Sequence, residues 1–160
     1  GAHSTYINPS QDYSSEAWIK LTGATTDYIC LMFANSTFDI VANVVRNNAG
    51  TVGAFSYHKY ETNATYEPTF SDDAGWHHYV FSYASSGTMT IYRDGSELGN
   101  GTLDSRSAIS SPTMSIGGTY TYNGTRYYQT GNLAQLRYYS KALSAAEVLQ
   151  NYNATKTNFS

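Results

Sequence analysis

The chain has 160 residues and a formal net charge of −3, with 41% hydrophobic but only 13% charged residues. Its length suits one domain with an ordinary core, and the absence of any lysine or arginine run argues against nucleic acid or an anionic membrane as a partner. The single cysteine, Cys30, excludes an intrachain disulfide and a cysteine zinc site, and no apolar stretch reaches the roughly 20 residues of a membrane-spanning helix. We therefore predict neither nucleic-acid binding nor membrane insertion.

The chain reads as a short extension followed by one all-β domain. Residues 1–12 are predicted to be an N-terminal extension, whose first four residues look like a cloning scar, and residues 13–160 the domain. From residue 13 to 139, segments rich in β-branched and aromatic residues recur about every ten residues, separated by clusters of Gly, Asn, Asp and Ser. Strands are predicted at 16–21, 28–34, 37–45, 52–57, 75–83, 88–93, 113–117 and 132–139, with a further short strand directly after Asp94-Gly95. A polar and aromatic loop is predicted at 59–68 and a tyrosine-rich loop at 118–131.

Two local motifs define a turn and a helix. Asp94-Gly95 lies between alternating segments and predicts a type I′ hairpin, because that turn needs positive φ at both central residues. Ser144 with Glu147 forms the pattern of a capping box, which predicts one helix at about 144–152. Val148, Leu149 and Tyr152 are expected to form its apolar face.

Five sequence blocks follow one another in order: GWHHYV (75–80), IYRDG (91–95), SIGG (115–118), GNL (131–133) and LRYYSKALS (136–144). In order and spacing they resemble the laminin G-like and concanavalin A-like lectin and glucanase superfamily. The resemblance implies a jelly-roll sandwich of two antiparallel sheets that binds its ligand on the concave sheet or on rim loops. Many members carry an acidic residue where this chain has Ala134 and Gln135, which weakens the expectation of a structural calcium there.

The C-terminal stretch 143–156 is similar to laminin G-like domains in structural or tail proteins of marine bacteriophages. This narrower resemblance implies an extracellular or virion-surface location, with host attachment or particle decoration as the task.

The carboxylates do not form a catalytic pattern. Relatives that hydrolyse glucans use Glu-x-Asp-x-x-Glu on one strand, because the acid and the nucleophile must face the same side. This spacing is absent, and Glu61 and Glu67 are expected on a solvated loop. We therefore predict a protein that is not an enzyme.

Metal binding has two open interpretations at Asp72 and Asp73. Carboxylates on a turn suit a structural calcium ion, yet Asp also occurs in turns that bond only their own backbone. His77 and His78 should point to opposite faces of a strand and so cannot chelate one metal together. Trp76 and one of these histidines are expected to pack in the sandwich.

The tyrosine-rich loops are the predicted binding surface. Sugars present apolar faces and hydroxyl groups, so a site for them needs aromatic planes beside amide, guanidinium or hydroxyl groups. The predicted ligand-binding residues are Tyr120, Tyr122, Asn123, Arg126 and Tyr127 in one loop and Tyr57, His58 and Tyr60 in another. A glycan or polysaccharide is the predicted partner. Packing of these tyrosines on the sheet, or a protein contact in a virion or an oligomer, remains open.

Overall fold

A computed structural model gives the structure of residues 11–22, 26–35, 40–48, 51–58, 69–71, 74–103, 113–115, 120–122, 125–127 and 130–159. In this part of the chain the strands are β1 (Tyr13–Lys20), β2 (Thr26–Asn35), β3 (Ile40–Asn48), β4 (Thr51–His58), β5 (Thr69–Ser71), β6 (His77–Tyr83), β7 (Thr88–Arg93), β8 (Ser96–Thr102), β9 (Thr113–Ser115), β10 (Tyr120–Tyr122), β11 (Thr125–Tyr127) and β12 (Asn132–Tyr139). They are followed by helix α1 (Ala145–Thr155) and a 3₁₀ turn (Lys156–Asn158).

Ten of these strands form two antiparallel sheets. Sheet A has the order β12-β1-β6-β7-β8, and sheet B has the order β5-β4-β3-β2-β9. Strands β10 and β11 pair only with each other among the described residues. The predicted all-β jelly-roll sandwich with one short C-terminal helix is confirmed.

The strand predictions differ from the structure mainly within 118–131. This segment was predicted as a loop, but Tyr120 pairs with Tyr127 and Tyr122 with Thr125 in a hairpin. The alternating Tyr-Thr-Tyr sequence and the Asn123-Gly124 pair that follows it are typical hairpin signals. Strand β5 was also not predicted.

The hydrophobic core lies between the sheets. Alternate residues of β1, β6 and β7 point toward sheet B, because successive side chains of a strand face opposite sides. The buried core residues are Tyr13, Ala17, Ile19, Tyr79, Phe81, Tyr83, Met89 and Ile91 from sheet A, and Ile29, Leu31, Val45, Val52 and Ala54 from sheet B. Full burial of one large apolar side chain stabilises the fold by about 2 kcal/mol.

A polar bridge also crosses the core. Asn43 Nδ2 donates a hydrogen bond of 2.9 Å to Ser15 Oγ in the opposite sheet, and Ser56 Oγ donates one of 2.6 Å to Asn43 Oδ1. All three residues are buried. Because these bonds need one relative position of the strands, they specify how the two sheets align.

A bulge in β12 sets the faces of its side chains. The pairing with β1 shifts between Glu16 and Trp18, and Gln135 adopts a positive φ of 49° at this point. Beyond the bulge the alternation changes parity, so Leu136 packs on the core while Arg137 lies opposite Glu16 on the outer face.

The predicted turn and helix cap are both present. Asp94 and Gly95 have φ values of 53° and 79°, as a type I′ turn requires. Ser144 Oγ accepts from the Glu147 amide, and the Glu147 carboxylate accepts from the Ser144 amide at 2.9 Å. The helix runs to Thr155, beyond its predicted end, and Leu149 is 47% exposed where an apolar contact was expected.

Candidate functional site

Helix α1 covers the face of sheet A that points away from sheet B, here called the outer face. Val148 of the helix packs on Val80, Tyr92 and Leu143. Strand β1 is consequently buried on both sides, and its outward residues Glu16 and Trp18 are only 0% and 3% exposed. A charged side chain in this position is stable only with partners.

Glu16 has partners from three other elements. Its carboxylate accepts hydrogen bonds from Arg137 Nη1 at 2.5 Å, from the Tyr139 hydroxyl at 3.0 Å and from Asn151 Nδ2 at 2.7 Å. His78 Nε2 lies 3.4 Å from Glu16 Oε1, an ion-pair distance without hydrogen-bond geometry. The cluster therefore joins β1, β6, β12 and α1.

These contacts keep Glu16 ionised. Burial alone raises the pKa of its carboxyl group, but the contacts with His78, Asn151 and Arg137 outweigh burial and hold the pKa at about 2, below its ordinary value of 4.5. Burial and the nearby Glu16 charge raise the pKa of Tyr139. With its four contacts and no access to solvent, Glu16 serves to hold the helix on the sheet.

Beyond this cluster, four aromatic rings are in contact, and two of the three contacts are stacked. Trp18 and Phe159 have ring centroids 4.5 Å apart and an interplanar angle of 15°. Tyr152 lies 5.8 Å from Trp18 on nearly parallel planes, and Trp76 tilts against Phe159 at 5.3 Å. Tyr152, Trp76 and Phe159 are half-buried, so these rings have an accessible side.

The accessible side borders a cavity of about 360 Å³, which we call the outer-face cavity. Its described lining residues are Trp18, Trp76, His77, Asp94, Tyr152, Lys156, Thr157 and Phe159. Its volume falls within the range of small-molecule sites. It combines aromatic surface with polar groups from a β-turn and from the chain after α1.

The type I′ turn supplies the acidic side of the cavity. Asp94 Oδ1 accepts from the His78 amide at 2.9 Å, and Asp94 Oδ2 lies 2.6 Å from His77 Nδ1 and 3.7 Å from Arg93 Nε. Burial raises the pKa of Asp94, but the bonds from His77 and His78 and the charges of His77 and Arg93 lower it overall. Asp94 is therefore a held, charge-compensated carboxylate.

The 3₁₀ turn supplies a cation on the other side. Lys156 is exposed, and its Nζ lies 5.4 Å from the centroid of the Tyr152 ring and donates to Asn153 Oδ1 at 2.8 Å. Both of these partners are neutral. Lys156 thus lines the cavity with a positive charge, and neither of these two contacts is a carboxylate.

The predicted binding residues lie elsewhere. Tyr120, Tyr122, Arg126 and Tyr127 belong to the β10–β11 hairpin, with Thr121 opposite Arg126. Tyr57 and His58 end strand β4, opposite Ala42 and Val41, rather than lying in a loop. Backbone pairing in this hairpin places residues 120–122 beside residues 125–127.

Other predicted site residues lie outside the described part of the chain. These are Tyr60, Asn123 and the proposed calcium ligands Asp72 and Asp73, so their roles stay predictions. Among described residues, no group of three or more His, Cys, Asp or Glu side chains is placed to hold a metal ion. Of the helices seen there, none combines the length and apolar character that crossing a bilayer requires.

Sequence reasoning missed the outer-face cavity. Trp76 was expected to pack in the sandwich, but it is half-buried and lies at the cavity, whereas His78 is fully buried as expected for one histidine of the pair. The available signal was Tyr152 and Phe159, seven positions apart at the C-terminal end of the chain. Tyr152 is the predicted last residue of the helix and Phe159 lies beyond it. Nothing in the sequence therefore indicates that both residues lie against Trp18.

The sequence matches, over residues 2–149, the laminin G family described as the Concanavalin A-like lectin/glucanases superfamily. Among curated proteins, none matches at a significant level.

Several solved structures have the same fold. The binding domain of Paraclostridial Mosquitocidal Protein 1 is 14% identical, with a TM-score of 0.65 over 96% of this chain and 39% of that one. The binding domain of botulinum neurotoxin DC in complex with SialylT is 12% identical, with a TM-score of 0.61 over 94% and 36%. The same domain in complex with rat synaptotagmin II is 12% identical, with a TM-score of 0.65 over 96% and 38%. This chain spans about two fifths of the length of each.

Proposed function

Because this chain belongs to the Concanavalin A-like lectin/glucanases superfamily, we propose that it is a non-catalytic binding module for a carbohydrate on a cell surface or polysaccharide. We assign the sugar to the outer-face cavity. The observation that carries the proposal is the accessible aromatic surface of Trp76, Phe159 and Tyr152 beside the polar groups of Asp94 and Lys156.

The chemistry of the cavity suits a sugar ring. Aromatic faces pack against the C–H groups of a pyranose, and charged or amide groups at their edge bind the hydroxyls. Asp94 and Lys156 lie in one cavity and provide an acceptor and a donor. Since His77 and the His78 amide hold Asp94 in place, its carboxylate is preorganised for a ligand hydroxyl.

The carboxylates support binding rather than hydrolysis. Glycoside hydrolysis generally uses two carboxyl groups across the scissile bond. Among the described lining residues Asp94 is the one carboxylate, and Glu16 is buried in its own cluster beneath the helix. This distribution favours a module that holds a ligand without cleaving it.

The similarity to solved structures also supports a binding role. The similar structures are binding domains, and the botulinum neurotoxin DC domain was solved with SialylT and with rat synaptotagmin II. A domain of this kind can thus be part of a protein with either type of partner.

The hairpin of β10 and β11 supports a second candidate function, a protein contact. It pairs with neither sheet among the described residues and carries Tyr120, Tyr122, Arg126 and Tyr127. In a structural domain of a virion, such as a decoration or fibre-tip protein, these residues would contact another subunit. Light scattering tests this alternative: a stable oligomer that Tyr122→Ala disrupts favours it, and a monomer at all concentrations argues against it.

Glycan-array binding followed by titration tests the proposed function. Trp76→Ala should weaken the best ligand at least tenfold, because it removes an aromatic face at the cavity. Trp76 is half-buried against Phe159, so the melting temperature of the variant is measured alongside to separate lost binding from lost stability. Tyr122→Ala and Arg126→Ala are matched variants that report on the hairpin instead. Repeating the array with calcium and with chelator tests the predicted calcium site at Asp72 and Asp73. If no glycan binds at millimolar concentration, or if Trp76→Ala binds normally, the cavity is not the sugar site.

A further inference from the structure

Among the described residues at the outer-face cavity, the acidic and the basic side chains differ in their partners. Asp94 contributes one negative charge, but Arg93 Nε lies 3.7 Å from its carboxylate and His77 Nδ1 lies 2.6 Å from it. Lys156 adds a further positive charge whose contacts are the Tyr152 ring and the Asn153 amide oxygen. The Asp94 carboxylate thus contacts basic side chains, whereas in the described part of the chain the Lys156 ammonium group contacts only neutral groups.

A cation beside an aromatic face selects for an anionic group on the ligand. Lys156 is exposed, so it can reach a ligand without first breaking a salt bridge to a carboxylate. Asp94 is less able to repel an anion, because its two oxygens already accept from the His78 amide and contact His77. Charge complementarity therefore favours a ligand that places a negatively charged group beside Lys156.

We propose that the outer-face cavity binds a sugar ring that carries a carboxylate, with the ring on Trp76 and Phe159 and the carboxylate on Lys156. This inference rests on the proposed function and narrows it to acidic sugars. Lys156 then determines specificity, whereas Trp76 contributes affinity for neutral and acidic sugars alike.

Titration of matched ligands tests the inference. Sialyllactose and lactose differ by one carboxylate-bearing sugar, and an oligogalacturonide provides a uronic-acid arm. Native protein should bind at least one acidic ligand about tenfold more tightly than lactose, and raising NaCl from 0.1 to 1 M should weaken the acidic ligand alone. Equal affinity for both ligands would leave the proposed sugar binding standing and overturn the acidic preference.

Variants of one lysine assign the preference to its residue. Lys156→Gln should remove the preference by weakening the acidic ligand more than the neutral one, and Lys156→Arg should retain the preference. Lys141→Gln removes the same charge at the other end of α1, where Lys141 pairs with Glu147, and should leave the preference intact. If Lys156→Gln keeps the preference, or if Lys141→Gln removes it equally, the assignment is wrong. If the native protein binds no glycan at all, the proposed function itself is contradicted.

Discussion

The indole nitrogen of Trp18 donates a hydrogen bond of 3.0 Å to the hydroxyl of Thr155, 137 positions further along the chain. The same hydroxyl donates to the Asn151 carbonyl at 2.9 Å. Both side chains are buried, so the bond fixes the last turn of α1 on strand β1. Trp18 also stacks on Phe159, and both rings line the outer-face cavity. The hydrogen bond therefore helps to position the aromatic wall of the cavity.

Replacing Thr155 by valine should destabilise the fold by about 2 kcal/mol. Valine has nearly the same shape but leaves the buried Trp18 N–H without an acceptor. Thr155→Ser keeps the hydroxyl and should cost less than half as much. Urea unfolding followed by tryptophan fluorescence measures both values, and equal losses for the two variants would show that the hydrogen bond is unimportant.

The Glu16–Arg137 pair should show strong coupling in a double-mutant cycle. Arg137→Met leaves the buried Glu16 carboxylate without its cation and should cost about 3 kcal/mol. In the double variant Glu16→Gln/Arg137→Met the buried charge is gone, so the total loss should be smaller than the sum of the single losses. Chemical denaturation of the four proteins gives the coupling energy. Additive losses would mean that solvent, rather than Glu16, satisfies Arg137.

Acid should destabilise the protein through Glu16. Its pKa falls from 4.5 in the unfolded chain to about 2 in the folded one, which corresponds to about 3 kcal/mol of stability above pH 5. Since the folded-state pKa is the lower one, this contribution is lost as the pH falls from about 5 to about 2. Unfolding midpoints across that range should drop steeply for the native protein and less for Glu16→Gln. The pKa of Asp94 is also lowered, as is that of Asp12, whose carboxylate accepts a hydrogen bond from the Ser85 amide, so the variant keeps some acid sensitivity.

Gly95→Ala should disturb the contact between the type I′ turn and α1. Gly95 has a φ of 79°, and an added Cβ would lie 2.9 Å from Leu149 Cδ1 and 3.1 Å from Tyr152 Cδ1. We expect a loss of about 2 kcal/mol from backbone strain and crowding together. Gly95→Asn introduces the same Cβ, but asparagine tolerates positive φ, so its loss should be smaller. Thermal unfolding separates the two causes, and equal effects would assign the whole loss to crowding.

Local patterns predicted most of the fold. The alternation of β1, the Asp94-Gly95 turn and the Ser144 capping box each depend on neighbours in sequence, and all three occur in the structure. The bulge at Gln135 could not be predicted in the same way, because it depends on how β12 pairs with β1 across more than a hundred residues.

The candidate site could not be predicted from local patterns either, because it depends on contacts between residues far apart in sequence. Trp18, Trp76, Asp94 and Phe159 come from four separate segments, and only the packing of α1 on sheet A brings them together. Glu16 begins the strand predicted at 16–21, and no neighbouring residue in the sequence indicates that its side chain is buried. Its burial follows from the helix, whose Asn151 side chain reaches it.

The outer face of sheet A also orders events during synthesis. Trp18 and Glu16 are synthesised more than 130 positions before their partners Thr155 and Asn151. At translation rates of about 5 to 20 residues per second, synthesis of the helix that covers the strand follows about 7 to 27 seconds later. Over that interval the Trp18 indole and the Glu16 carboxylate lack the helix that covers them, and the apolar indole is a surface that a chaperone can bind. Native closure of this face is therefore a late step that begins only when residue 155 has been made.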